Sequence, residues 1–228
     1  MQQKNIIDLM ASLPRVLDVG CGDGYHTLKL VKSGKSQVHA FDYLLKNLKV
    51  VKRKSRKSNL MATHFVLGDA QRLPYKDKVF SGALCFEVLE HVHSDIAMIS
   101  EIARVLEDNA FLCVSVPAEA SEKLLNKSEE GQHLRVYAEK ELIQKISSYF
   151  KVQKTFYEGF EFSLIVLIYS YFKMPFDYSQ GLPKSLGIFY RFWGCMWGAT
   201  RKIGLYSFIG YIGNRIIPKS LIILAKKK

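Results

Sequence analysis

Two short clusters in this sequence carry side chains able to move a proton. One is Glu87-Val88-Leu89-Glu90-His91, with His93 two residues on. The other is Gln132-His133-Leu134-Arg135-Val136-Tyr137. A histidine or a suitably placed carboxylate can take a proton from a hydroxyl, a phenol or a carbon acid. Two carboxylates and a histidine at i, i+3 and i+4 on one helical turn, joined by a distant histidine, could also hold a divalent cation. Each histidine has a plainer use, as a hydrogen-bonded side chain that orients a loop, and His26 and His93 are read that way.

The elements that would position these groups begin with Arg15 to Leu30, RVLDVGCGDGYHTLKL. A β-branched apolar run ends in Asp18-x-Gly20-x-Gly22-x-Gly24 and passes at once into a helical pattern. Glycines let the backbone turn tightly and approach a ligand, and the helix start offers unpaired N–H groups. A dinucleotide fingerprint needs its third glycine three residues after the second, to seat a pyrophosphate. Here the glycines run at intervals of two, which argues against an NAD-linked oxidoreductase. A second strand-like run, Gln37 to Phe41, ends at Asp42, an acid able to accept from both hydroxyls of a ribose. A third, within Thr63 to Gln71, ends in Gly68-Asp69-Ala70. Either acid alone could merely cap a helix or turn.

Together these motifs resemble the class I S-adenosylmethionine (SAM) methyltransferases. The run from Arg15 to Pro117 is similar to their small-molecule branch, near the ubiquinone- and menaquinone-pathway enzymes. The resemblance implies SAM as cofactor and S-adenosylhomocysteine as product. It assigns cofactor contacts to Asp18, Gly20, Cys21, Gly22, Asp42, Tyr43, Asp69, Ala70, Phe86 and Glu87. Asp42 would take the ribose, Tyr43 line the adenine, Asp69 meet the exocyclic amine, and the Ala70 N–H a ring nitrogen. Phe86 and Glu87 would touch the methionine moiety, mainly through backbone. His91 and His133 become the candidate catalytic bases, and Tyr137 a candidate substrate contact. Some related O-methyltransferases bind a divalent cation through Glu-x-x-Glu-His; most with Glu-Val-Leu-Glu-His do not, and no metal is expected.

The implied fold is α/β: a doubly wound, Rossmann-like sheet of seven mostly parallel strands, the last antiparallel. Phe150 to Glu158 reads as strand six and Lys219 to Lys226 as strand seven. Some sixty residues separate them, far more than a hairpin link takes. The expected domains are a methyltransferase core, 1–158 with 218–228, and an aromatic, basic helical insertion, 159–217. Phe160 to Phe172 is nearly all apolar but too short to span a bilayer as a helix. Trp193 and Trp197, with neighbouring arginines, suit a helix lying in a membrane interface. The same residues also suit a substrate cap or a homodimer interface.

Charge and cysteines narrow the setting. The net charge is +12 from 33 basic and 21 acidic residues. Much of it lies in Lys46 to Lys57, KNLKVVKRKSRK, with seven Lys or Arg, and in Lys226-Lys227-Lys228. Such density serves an anionic membrane surface, nucleic acid or solubility. Four isolated cysteines, Cys21, Cys85, Cys113 and Cys195, without Cys-x-x-Cys spacing, point to a reduced, cytoplasmic compartment with no zinc site or disulfide framework. The first ten residues lack a signal-peptide pattern. The expected activity is methyl transfer to a small or lipid-like acceptor, with an anionic membrane surface as a further partner. The rivals are an RNA or protein methyltransferase using 46–57, disfavoured by the lack of an Asn-Pro-Pro-Tyr-type motif, and a non-catalytic SAM-binding scaffold.

Overall fold

The computed structural model describes residues 3–32, 36–58, 63–119, 133–158 and 219–228. Helix α1 (Gln3–Ala11) precedes β1 (Arg15–Val19), α2 (Tyr25–Lys32), β2 (Gln37–Asp42), α3 (Leu45–Lys57) and β3 (Thr63–Leu67). Then come β4 (Phe80–Phe86), a 3₁₀ turn (Leu89–His91), α4 (Asp95–Val105), β5 (Leu106–Pro117), α5 (Glu139–Ser147), β6 (Phe150–Glu158) and β7 (Ser220–Lys227).

The strands form one seven-stranded sheet in the order β3-β2-β1-β4-β5-β7-β6. The pairs β1–β2, β1–β4, β2–β3 and β4–β5 are parallel, and β7 runs antiparallel to β5. Strands β1 and β2 are buried along nearly their whole length, as parallel strands covered on both faces must be. From β1 the chain steps outward through β2 and β3, then returns to β4 on the other side of β1. That reversal opens a crevice beyond the carboxyl ends of β1 and β4, the usual ligand position in such sheets. All the acids and glycines of the sequence motifs sit at that end.

Helices α1 and α2 cover the sheet face bearing Val16, Val38 and Leu84, with Ile6, Met10 and Leu30 fully buried against it. Helix α3 covers the same face farther out, through Leu48 and Val51 against Ala40. Each such aliphatic side chain contributes about 1.5–3 kcal/mol when fully buried. Gly82 lets α1 lie close on β4: a Cβ there would meet Leu13 at 2.5 Å and Met10 at 3.0 Å.

Two details differ from the sequence reading. Asp108-Asn109, a pair whose residue types favour a turn, lies inside β5. Asn109 adopts φ 64°, and the β4–β5 register slips between Phe80 and Gly82, so the chain makes a bulge and continues as strand. The terminal lysines are not a free basic tail. Lys227 Nζ donates to the Leu106 carbonyl, and Lys228 Nζ to that of Ser147.

The chain divides into two compact units, Met1–Phe156 with Ser220–Lys228, and Tyr157–Lys219. The interfacial, cap and dimer readings of 159–217, and Cys195, fall outside the described residues. Cys21, Cys85 and Cys113 are buried free thiols. Among the described residues no helix is long and apolar enough to cross a membrane.

Candidate cofactor and acceptor site

The glycine loop is built by three glycines at positive φ: Gly20 (70°), Gly22 (53°) and Gly24 (84°). The Gly20 and Cys21 N–H groups both donate to the Phe41 carbonyl, at 2.8 and 2.9 Å, which draws the end of β1 onto the end of β2. Two of the three positions have no room for a side chain. A Cβ on Gly20 would strike Val88, and one on Gly24 would come 2.7 Å from Val51 of α3. A Cβ on Gly22 would meet nothing within 4 Å. Gly22 therefore faces open space, and its bare backbone is the part of the loop that a ligand can approach.

Asp42 organises the far side. It is almost fully buried, and its Oδ2 accepts the Gly22 N–H at 2.8 Å. Its Oδ1 accepts the Leu44 N–H at 2.8 Å and the Asn47 side chain at 3.1 Å. An ionised carboxylate offers about four lone-pair sites; the fourth faces only the weak Cys21 thiol at 3.9 Å, which a ligand hydroxyl would displace. The Gly68 N–H reaches the Asp42 carbonyl at 3.2 Å, which brings the end of β3 alongside. There Asp69 is exposed and accepts from the Gln71 backbone N–H at 2.9 Å and from its side chain. These bonds, the backbone one foremost, hold its carboxyl below the usual range. Ala70 is buried and Tyr43 is 74% exposed.

Asp18 plays a different part from that expected of it. It lies inside β1, 2% exposed, and accepts a 2.5 Å hydrogen bond from Thr27 Oγ1 of α2. Burial pushes its carboxyl up to about 6, against the opposing effect of Thr27. It braces the loop from beneath. Cys21 Sγ lies 3.9 Å from Asp42 Oδ2, and burial, the largest cause, raises its thiol far above the ordinary value.

The other wall comes from β4 and β5. Phe86 meets the His26 ring edge-on at 4.6 Å, and burial lowers that imidazole to about 4. Glu87 adopts φ 54°, uncommon for a residue with a side chain and frequent at functional sites. Its N–H donates to the Ser115 carbonyl at 2.9 Å, and its carboxylate accepts a short hydrogen bond from Ser115 Oγ. The ends of β4 and β5 are thereby clasped.

Beyond them lie the two candidate bases. His91 and His133 stand with ring centroids 4.9 Å apart, edge to face. Glu90, 1% exposed, has Oε1 3.9 Å from His91 Nε2. One donor atom from each of Glu90, His91 and His133 lies within 4.8 Å of the others, a set with two imidazoles and a carboxylate that suits a divalent transition metal. The sequence reading expected none, and placed Glu87 in the cluster; in the structure Glu87 turns to Ser115.

The segment carrying His133 is fastened to the turn carrying His91. The Leu134 N–H donates to the Glu90 carbonyl at 2.9 Å. Arg135 donates to the carbonyls of Leu89, Val92 and His93 at 3.1, 2.6 and 2.8 Å. Tyr137, expected to contact substrate, is 1% exposed, and its hydroxyl bonds the Leu89 carbonyl at 3.2 Å and Asp95 Oδ2 at 2.9 Å. It is a strut, not a binding surface. Thr27, Asn47, Ser115 and the anchoring use of Arg135 had no signal in the sequence, because each acts through a partner distant along the chain.

Residues 17–114 match the family model described as a methyltransferase domain. Over that stretch, a little under half of its length, the chain is similar to methyltransferase domains. Similar proteins include an O-methyltransferase, cnsE, of Penicillium expansum, 32% identical over 101 residues, which are 44% of this chain and 37% of that protein. A ubiquinone biosynthesis O-methyltransferase of Xylella fastidiosa is 31% identical over 101 residues, 44% of this chain and 41% of that one. The chain thus spans about two fifths of the curated relatives it matches. In fold it resembles a SAM-dependent methyltransferase from Aquifex aeolicus (TM-score 0.57, 18% identity, covering 68% of this chain and 82% of that one).

The methyltransferase domain fits SAM as cofactor. The open face of Gly22 and the acids Asp42 and Asp69 suit a ligand rich in hydroxyls and amines with a positive sulfur. The same carboxylates would repel a pyrophosphate.

Proposed function

We propose that this chain transfers the methyl group of SAM to a hydroxyl of a small or lipid-like acceptor. The observation that carries this reading is the position of the His91–His133 pair, just past β4, at the same end of the sheet as Gly22 and Asp42. When bound, SAM supplies an electrophilic methyl carbon on a sulfonium that departs as a neutral thioether. The chain's own residues have two tasks. Gly22, Asp42, Asp69 and the backbone at Phe86–Glu87 hold the donor so that acceptor oxygen, methyl carbon and sulfur lie in line. His91, supported by His133, takes the acceptor proton as the new oxygen–carbon bond forms, a contribution of about 10²–10⁴ in rate. Hydroxyl acceptors are favoured because the curated relatives are named as O-methyltransferases.

The test is a labelled-methyl assay on cell extract divided into lipid, small-molecule, RNA and protein fractions, with calorimetry of SAM binding in parallel. Label in the lipid or small-molecule fraction, lost in His91→Ala, is the expected result. Label in RNA or protein would overturn the acceptor class. Intact SAM binding with no labelled fraction would favour a scaffold.

A further inference from the structure

Helix α3 carries a cationic face that neither the cofactor site nor the core uses. Leu48, Val51 and Ser55 point inward. Lys46, Lys49, Lys52, Arg53, Arg56 and Lys57 are all exposed. Among the described residues the helix has one ion pair, Lys54 with Asp23 at 2.7 Å, and Lys54 is not one of these six. Cations spaced four residues apart, as Lys49, Arg53 and Lys57 are, repel one another and destabilise the helix. Lys46 in the first turn also opposes the helix dipole. At the same end three apolar side chains stand in water: Tyr43, Leu44 and Leu45, 74, 43 and 51% exposed. Leu45 lies one turn before Lys49, in line with the cations.

We infer that this face of α3, from Tyr43 to Lys57, docks on an anionic lipid bilayer. The partner follows from the chemistry. A row of cations along one side of a straight helix matches a planar negative surface, and exposed leucines at its end match the acyl boundary beneath the headgroups. A single-stranded nucleic acid would call for a series of stacking aromatics, and α3 has none beyond Tyr43 at its start. The inference does not depend on the methyl-transfer reading, since docking needs neither cofactor nor acceptor.

The test is flotation of the full chain with vesicles of phosphatidylcholine alone or with 30% phosphatidylglycerol, beside poly(U) binding, at several salt concentrations. Binding to the anionic vesicles only, weakening with salt, is expected. Each cation near such a surface contributes about fivefold to partition, so K49Q/R53Q/R56Q should lose roughly 100-fold. Leu45→Ser should lose binding that salt does not modulate. The control K140Q/K151Q/K154Q removes the same charge from α5 and β6 and should bind nearly as the parent does. SAM calorimetry on each variant separates failure of docking from failure of the cofactor site. No anionic-vesicle binding, equal loss in the control, or poly(U) as the ligand lost in K49Q/R53Q/R56Q would each overturn the inference.

Discussion

The Gly22 N–H donates to Asp42 Oδ2 at 2.8 Å, so the glycine loop and the acid that ends β2 are one unit. The same carboxylate holds the Leu44 N–H through its other oxygen and so fixes the start of α3. Whatever binds at the carboxyl ends of β1 and β2 meets a loop already shaped for it.

Asp42→Asn replaces one acceptor oxygen with a donor that opposes either the Gly22 or the Leu44 N–H. Hydrogen bonds to a charged group are worth about 1.5–3 kcal/mol, so SAM affinity should fall roughly 10- to 150-fold. Titration calorimetry checks this; a change under twofold would remove Asp42 from the site.

Gly22→Ala separates fold from binding. Its Cβ enters open space, and the positive φ costs about 1–2 kcal/mol, a melting shift of a few degrees at this size. SAM affinity should drop at least tenfold. Gly20→Val, by contrast, drives a branched side chain into Val88 and should depress the melting temperature well beyond Gly22→Ala.

A buried group, Asp18, and a half-buried one, His39 of β2, give opposite pH dependences. The folded pKa of Asp18 is raised from 3.8 to about 6 by burial, so its contribution is present below pH 4 and lost as pH rises through 6. Burial lowers His39 from 6.5 to about 4; stability is present above pH 6.5 and lost as pH falls toward 4. Urea unfolding between pH 4 and 7 should therefore show a steeper rise with pH in Asp18→Asn and a shallower one in His39→Phe. Unchanged slopes in both would refute the assignment.

Tyr137→Phe removes the hydroxyl bonds to Leu89 and Asp95. Stability should fall by about 1–3 kcal/mol, with kcat reduced through a loosened His91–His133 pair and KM little changed. A change in KM alone, at full stability, would restore the substrate-contact reading.

His91→Ala should cut kcat about 10²–10⁴-fold while leaving SAM affinity intact. The wild-type rate should survive chelation, because proton transfer to His91 needs no ion. Loss on chelation, restored by a divalent metal, would make Glu90, His91 and His133 ligands instead.

The glycine loop is legible because its residues are consecutive: strand, glycines, helix. Period and punctuation also reveal β6 and β7, each within a residue of its observed bounds. The acceptor half was harder to read. Tyr137 looks the same in sequence whether its hydroxyl meets a ligand or Asp95. Asp18 carries no mark that Thr27 waits above it. Asp108-Asn109 has turn chemistry and does break the ladder, with Asn109 at φ 64°, but pairing resumes at Phe111 on both sides and carries the strand on. Composition tells inside from outside, whereas partners across the fold are set by packing.

The position of β7 bears on how this protein assembles. Its edge of β5 must wait about a hundred residues of synthesis for the strand that covers it, an exposed ladder that invites pairing with neighbouring chains. Nascent or truncated forms lacking those last residues should clump, and a chaperone that shields strand edges should raise the yield of soluble product.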